Sequence, residues 1–500
     1  MDQRSSSGST SSQEFSVKRK CGSSKRMARS LVAVELHLLP HDVLHDILSR
    51  LSIRDVVRMS ILSREWRQLR ICHPDLVLTL DTFLARTQVL VVVVTNQKIE
   101  TTEFITNVNN LLRPLWSTST TSTTTLDKFV IEFCLRRNDK YHIDRWVNFG
   151  TASRAKHIAL DFTEFTYFDS SCCKNMYIFP LCKFSGQNGS CVKSLNLGYV
   201  CLKLPLSFCG LTNLKKLTLN MVSISGSDLQ CLLLSCALLE SISIERCSSF
   251  SSLRIRQELC RLRYLRVRHC KLKIIELCAP NLTKFELDEV LTEIVLIQCL
   301  KLSEATFVSN MREHSFDDYG FRFTFTDLPT ALPHVPRFTE AQSRFSNLRN
   351  LNMNLLDHYF DPEDTSWVLG LVDLLELTPL LAEMELHIIK NGPRCWLPEP
   401  KMVTAVQGPL HRHLRSVHMS GICHVLGLIE LALYILGNAT VLERMVINPV
   451  AHPNRLTDDI HSFSEPVSVD EWDNYYIDET RVIAKQHLDR DEFRHILTFL

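Results

Sequence analysis

Apolar residues recur along this chain in two different rhythms. From Leu39 to Leu69 the rhythm is helical: Val43, Leu44, Ile47, Leu48 and Leu51 fall at i, i+1, i+4, i+5 and i+8, with His45, Asp46, Ser49 and Arg50 opposite. Pro40 suits a first helical position, and Asp42 falls in the first turn, where the helix dipole favours an acid. Ser52 followed by Asp55 reads as a capping box for a second helix through Val56, Val57 and Met59, and Leu62, Trp66 and Leu69 continue on a third. The pattern predicts three short helices carrying more large apolar side chains than so small a unit readily buries alone.

Further on the rhythm changes to short repeated phrases. Leu239, Ile242, Ile244, Cys247 is followed by Leu262, Leu265, Val267, Cys270, a leucine-rich-repeat (LRR) pattern. Leu214, Leu217, Leu219 come before, and Leu282, Phe285, Leu287 then Leu302, Ala305, Phe307 come after, with units starting about 20 to 25 residues apart. Weaker copies stand at Val192, Leu195, Leu197; Leu348, Leu351, Met353; Leu381, Met384, Leu386; Leu414, Val417, Met419; and Leu442, Met445, Ile447. Each phrase predicts a strand whose inward residues need neighbouring repeats to complete a core, so the units stack into a curved parallel sheet. Leu229, Leu232 and Leu233 after Ser227 and Asp228 predict one helix on the convex side, and irregular turns are expected in the other links.

Between the two regions, His73, Pro74 and Leu76 end the helical part, and Val89–Val94 suits a buried strand. Ser117–Thr125 reads as a polar loop, Leu126, Phe129, Ile131 as a strand, Ile143, Trp146, Val147 as a helix start and Ile158, Leu160 as the next strand. Near the other end, Leu428, Leu431, Ala432, Tyr434 and Ile435 have amphipathic helical spacing. The mixed aromatic and acidic stretch Asp470–Leu500 is expected to cap the solenoid. The fold class is α/β: an N-terminal three-helix unit followed by an irregular LRR solenoid. The expected divisions are a disordered basic arm (1–35), the helical unit (36–80), the solenoid (81–398), further C-terminal repeats (399–450) and a cap or tail (451–500).

Composition narrows the chemistry. The 500 residues are 45% hydrophobic, enough for a large core. Lys and Arg total 56 against 55 acids, so no overall field directs the chain to nucleic acid or an anionic membrane. No apolar run approaches the roughly 18 residues of a membrane span. The Ser-rich arm carries Lys18–Lys20, Lys25 and Arg26, readable as a nuclear import signal or as a solvated tail, and no secretory signal is expected. The expected location is therefore nucleus and/or cytoplasm, and the 18 cysteines, which form no CxxC pair, are expected to be mostly buried free thiols. His37, His41 and His45 share a four-residue spacing, but a helix starting near Pro40 leaves His37 outside it, and His411 with His413 beside Arg412 is expected to lie polar and exposed on the surface. Neither a phosphate loop nor a GxSxG elbow is present, so no metal, cofactor or catalytic residue is assigned.

The segment LPHDVLHDILSRLSIRDVVRMSILSREWRQL, Leu39–Leu69, resembles an F-box, with Ser52 standing where relatives often have Pro. F-box plus imperfect repeats, with the tail LRSVHMSG and LIELALYILGNATVLERMVINP similar to the FBD type, resembles the plant F-box/LRR-repeat proteins. Relatives usually carry charge at Val425–Leu428. The resemblance implies a non-catalytic subunit that pairs with a Skp-family adaptor, and through it with a cullin, using Leu39, Pro40, Ile47, Leu48, Leu51, Val56, Leu62 and Trp66. It implies a substrate receptor of an SCF (Skp, cullin, F-box) ubiquitin ligase for an unknown protein target. A small-molecule-sensing receptor and a nuclear regulator acting outside a ligase stay open as alternatives.

The concave face is where a target is expected, because side chains alternating with the buried ones stand outward in columns. Four adjacent strands offer Lys216, Thr218, Asn220; Ser241, Ser243, Glu245; Tyr264, Arg266, Arg268; and Lys284, Glu286, Asp288. Tyr264, Arg266 and Arg268, with Glu245 and Lys284 beside them, are the candidate target contacts, since aromatic and Arg side chains dominate interface hot spots.

Overall fold

The computed structural model describes residues 40, 43, 46–47, 50–51, 53–55, 74–83, 97–118, 126–163, 175–205, 208–255, 257–288, 293–310, 337–338, 345–357, 367–390, 408–421, 427–449 and 481–500. The arm 1–35, the run Val89–Val94, the triplet His37, His41 and His45, and Val425 lie outside them.

A 14-stranded sheet runs through the described residues. Its strands are β1 (Asp75–Thr79), β2 (Lys128–Glu132), β3 (His157–Asp161), β4 (Ser194–Gly198), β5 (Lys216–Asn220), β6 (Ser241–Glu245) and β7 (Tyr264–Arg268). They continue as β8 (Lys284–Asp288), β9 (Glu304–Asn310), β10 (Asn350–Asp357), β11 (Glu383–Lys390), β12 (Ser416–Ser420), β13 (Arg444–Asn448) and β14 (Leu497–Phe499). Each strand pairs in parallel with the next one in this series, as at Leu217↔Ile242 and Leu265↔Phe285. A parallel sheet in sequence order, one crossover per step, is a solenoid.

Every repeat phrase read from the sequence lands on a strand of this sheet or on its approach. Because side chains alternate across a strand, the second and fourth positions turn inward together: Leu217 and Leu219, Ile242 and Ile244, Leu265 and Val267, Phe285 and Leu287 are all buried. Full burial of such a side chain contributes about 1.5–3 kcal/mol, and stacking lets each repeat supply what its neighbour lacks.

The turn after the strand also repeats. Tyr199, Met221, Arg246 and His269 have φ of 52, 53, 51 and 52°. Each donates its N–H to the last carbonyl of the following strand: Asn220, Glu245, Arg268 and Asp288, at 2.9, 2.8, 2.8 and 2.9 Å. These bonds extend the ladder beyond the strand and offset the cost of a left-handed non-glycine residue. Behind them the thiols of Cys247 and Cys270 donate to the carbonyls of Glu245 at 3.3 Å and Arg268 at 3.2 Å, so the cysteine closing the phrase satisfies backbone groups in the core.

The convex side departs from the expected irregular turns. Ser252–Ile255, Ile274–Cys278, Glu293–Ile297 and Arg337–Phe338 form a second parallel sheet. The signal is local: Leu253 and Ile255, Ile275 and Leu277, and Ile294 and Leu296 repeat the period of two and are buried. Helices fill other links: α1 (Gln97–Thr118), α2 (Lys140–Ala152), α3 (Gly226–Ser235), α4 (Trp367–Leu377) and α5 (Gly427–Asn438). Ser225, two residues before the Ser227 of the sequence reading, caps α3 by accepting from the Asp228 N–H at 3.1 Å. Helix α1 reaches Thr118, so the polar loop read at Ser117–Thr125 starts inside a helix.

The solenoid also starts earlier than its assigned interval: β1 at Asp75–Thr79 lies within 36–80 and opens the sheet. At the other end a helical segment, 481–488, precedes β14, which pairs with β13 at Met445↔Leu497 and Ile447↔Phe499.

Candidate functional site

Two surfaces matter. In the first, Val43, Asp46 and Ile47 are helical, as are Ile53–Asp55. Val43 is an exposed large apolar residue, Ile47 and Leu51 are half-buried, and Ile53 belongs to the main core with Leu51 packed against it. Pro40 is exposed, and Arg50 pairs with Asp46 one turn earlier at 3.1 Å. Leu39, Leu48, Val56, Leu62 and Trp66 lie outside the described residues.

The second surface is the inner face of the sheet, where β6 to β9 bring most of the candidate contacts together. Parallel register aligns Ser241, Tyr264, Lys284 and Glu304 in one row and Ser243, Arg266, Glu286 and Thr306 in the next. Neighbouring strands are about 4.8 Å apart, so long side chains reach across rows. They converge on Glu286. Its carboxylate accepts from the Tyr264 hydroxyl at 3.0 Å and pairs with Arg266 Nε at 3.2 Å and Lys284 Nζ at 3.1 Å. Lys284 also reaches Glu304 at 3.6 Å. Burial, reinforced by the Glu286 charge, pushes the Tyr264 hydroxyl up to about 12, so it stays a donor. The hydrogen bond to Glu286 raises Lys284. Glu286 is one of the outward residues expected on the concave face but not one of the candidate contacts; register between the strands is the signal that marks it.

Arg268 and Glu245 behave differently. Arg268 does not stand into solvent: its side chain is 7% exposed and lies 3.3 Å from Asp288, itself 5% exposed, with His269 Nε2 3.4 Å from the same carboxylate. The fifth strand position is outward by alternation, but in β7 and β8 it is buried. Arg268 is therefore a structural ion pair and not a free contact. Glu245 is drawn to its neighbour Arg246 at 2.5 Å.

A further polar group sits on β10 to β12. His387 Nδ1 lies 2.7 Å from Ser420 Oγ, its ring meets His418 edge-on at 5.1 Å, and Glu385 is 3.8 Å from its Nε2. The His387 ring holds the Glu385 carboxyl below the usual carboxylate range, aided by His418 and by the Asn352 amide. A serine, a histidine and a glutamate together invite comparison with a hydrolase, but Ser420 is only 3% exposed and the histidine–glutamate distance is too long for an orienting hydrogen bond. This group is a polar network inside the sheet face.

His411 also departs from the surface reading. It is buried, with Nε2 2.9 Å from the Tyr434 hydroxyl on α5, and burial lowers its pKa, while His413 is exposed. The cysteines divide: Cys236, Cys247, Cys270 and Cys278 are buried, and Cys182, Cys209, Cys231 and Cys260 are exposed, so the described thiols are not mostly buried. Among the described residues no three His, Cys, Asp or Glu side chains form a metal-binding group, and no helix is long and apolar enough to cross a membrane.

Comparison with known proteins follows the same two surfaces. The F-box domain pattern matches residues 36–69, and the At1g61320/AtMIF1 LRR domain pattern matches residues 119–474. F-box protein At5g03100 of Arabidopsis thaliana is 23% identical over 284 residues, 56% of this chain and 77% of that protein. F-box/FBD/LRR-repeat protein At1g13570 of Arabidopsis thaliana is 26% identical over 279 residues, 56% of this chain and 55% of that protein. With an F-box ahead of a repeat domain that covers most of the chain and folds into a sequential parallel sheet, this protein belongs to the F-box/LRR-repeat family.

Proposed function

We propose that this chain is the substrate-recognition subunit of an SCF-type ubiquitin ligase, working in the nucleus and/or cytoplasm. The F-box docks a Skp-family adaptor and through it a cullin, and the inner face of the solenoid holds a protein target. The observation that carries this reading is the joining of an F-box segment to a long sheet whose inner face presents a preorganised polar array around Glu286. The chain's contribution to the reaction is orientation: it holds target lysines near a conjugating enzyme and supplies no reacting group.

Co-purification with the adaptor tests it. Leu48→Asp and Trp66→Ala are expected to reduce adaptor recovery about tenfold or more while the thermal melt of the solenoid is retained. Undiminished recovery with both variants folded rules out the assigned adaptor residues, and absence of adaptor from the wild-type purification rules out the reading itself.

A further inference from the structure

The carboxylates of the inner face divide into two groups. On β6 to β9 each one is held by a lysine or arginine: Glu245 by Arg246, Glu286 by Arg266 and Lys284, Asp288 by Arg268, and Glu304 by Lys284. On β11 neither is. Glu383 is exposed and has no ion-pair partner among the described residues. Glu385, 52% exposed, has only His387 at 3.8 Å, an imidazole that carries charge only when protonated. Two residues apart on one strand, Glu383 and Glu385 share a face at a spacing of about 7 Å. Register flanks them with Asn350 and Asn352 on β10 and with Ser416 and His418 on β12, so no lysine or arginine stands beside them on that face. Arg349 and Arg415 precede β10 and β12 at the rim, and neither pairs with Glu383 or Glu385 among the described residues; Arg415 reaches Glu443.

The same place lacks a donor. Glu385 is held charged and can only accept, so the Asn352 amide must turn its nitrogen toward it. The Asn352 oxygen is then left to accept from Asn354 Nδ2, at 2.8 Å, which commits Asn354 Oδ1 to being an acceptor. Asn354 lies beside His387 in the row next to Glu385 and is 2% exposed, and its Oδ1 has no hydrogen-bond partner among the described residues. A buried amide oxygen without a donor is destabilising, and a bound donor relieves it. Two carboxylates without a fixed cation and one buried acceptor without a donor thus stand together on β10 and β11.

We propose that the inner face at β10 to β12 takes an arginine side chain of the target. The proposal rests on the substrate-receptor reading and names one class of residue that the receptor recognises. Guanidinium presents its N–H donors in a planar fork, enough to face a carboxylate two at a time and still reach a second acceptor, whereas an ammonium is a compact, strongly hydrated point charge. Around Glu286 the face supplies its own cations, so an arriving arginine meets Arg266 and Lys284 there and is repelled. At Glu383 and Glu385 it meets opposite charge alone.

The test uses the full-length protein and bead-bound degenerate peptide pools that differ only in carrying arginine, its uncharged isostere citrulline, or lysine at the centre. Retention on the arginine pool is expected to exceed that on the citrulline pool about tenfold and to fall as salt is raised. Glu383→Gln with Glu385→Gln is expected to erase the preference with an unchanged thermal melt, because both side chains are exposed. Glu383→Lys, which places a cation on the same strand, is a second variant expected to erase it. Glu376→Gln, at an exposed acid on α4, is expected to leave the preference intact. Equal retention on the arginine and citrulline pools, including none on either, overturns the proposal, as does a preference that survives in the folded variants of Glu383 and Glu385. A preference weakened as much by Glu376→Gln reports general charge attraction and overturns it too, and a lysine pool retained as strongly as the arginine pool overturns the choice of guanidinium. Adaptor co-purification runs in parallel: adaptor bound without an arginine preference overturns this assignment alone, and absence of adaptor overturns the receptor reading.

Discussion

Arg268 and Arg266 are two residues apart on one strand, yet the fold assigns them different work. Arg266 shares Glu286 with Tyr264 and Lys284 at a partly open surface, whereas Arg268 and Asp288 neutralise each other where little water reaches. Removing one member of a buried pair leaves an uncompensated charge at a cost of about 3–5 kcal/mol. Arg268→Ala is therefore expected to lower urea-denaturation stability by about that amount, reduced to the extent that protonated His269 covers Asp288. A change below about 1 kcal/mol would show that the buried pair contributes little to stability. Any loss of target binding in this variant is thus to be read as unfolding unless its melt is intact. Gly421 makes a related point: at φ 89° a Cβ would lie 1.9 Å from the Ile388 carbonyl oxygen, so the turn leaving β12 has room only for glycine.

Helix α5 shows how an element acquires a pH dependence. Leu428, Leu431, Ala432, Tyr434 and Ile435 are buried, but so are Ile429, Leu433 and Leu436, so the helix is covered on all sides and is not the amphipathic one that the spacing predicts; the Tyr434 hydroxyl meets the ring of buried His411. Burial disfavours the charged imidazole, so the folded pKa lies below the ordinary 6.5. Between the two values the unfolded chain binds more protons, and stability rises with pH; it is lost as pH falls below about 6.5, by at most about 1.4 kcal/mol per unit. His411→Gln keeps a polar partner for Tyr434 and removes the titration. The drop in melting temperature from pH 7 to pH 5.5 should be smaller in this variant than in the wild type; an equal drop would show that other groups carry the effect. Helix α1 was missed from the sequence although Phe104, Val108, Leu111 and Leu112 make a buried stripe. Its Thr and Asn content is poor in helix formers, and Pro114 removes an internal donor, so local propensity hid what tertiary burial supports.

In the molecule as a whole, the sheet is a stack in which each repeat covers its neighbours, and an uncovered edge exposes both ladder groups and core. β14 gives Met445 and Ile447 paired neighbours, and Ala484 and Leu488 of the preceding helical segment belong to the core. Truncation of 481–500 is expected to lower the melting temperature by several degrees and to promote concentration-dependent association through the bared edge of β13. An unchanged melt and a monodisperse truncated protein would show that β13 needs no cover. The same stacking logic fits the proposed function, in which the F-box would supply the attachment and the inner face the surface for a target.

What the sequence by itself determined is whatever depends on local spacing. The phrase at Leu239, Ile242, Ile244, Cys247 and its copies locates the strands, because a period of two inside a repeat of fixed length is a one-dimensional signal. The helical spacing and the motif at Leu39–Leu69 locate the F-box in the same way. Tertiary structure alone decided which polar residues meet. Glu286 became the hub for Tyr264, Arg266 and Lys284, and Asp288 took Arg268 out of solvent. The contacts from Tyr264 to Glu286 and from Arg268 to Asp288 depend on register between strands, at separations of 22 and 20 residues in the chain, while Lys284 reaches Glu286 along its own strand. Alternation tells which side of a strand a residue faces; only the neighbouring strands determine what it finds there.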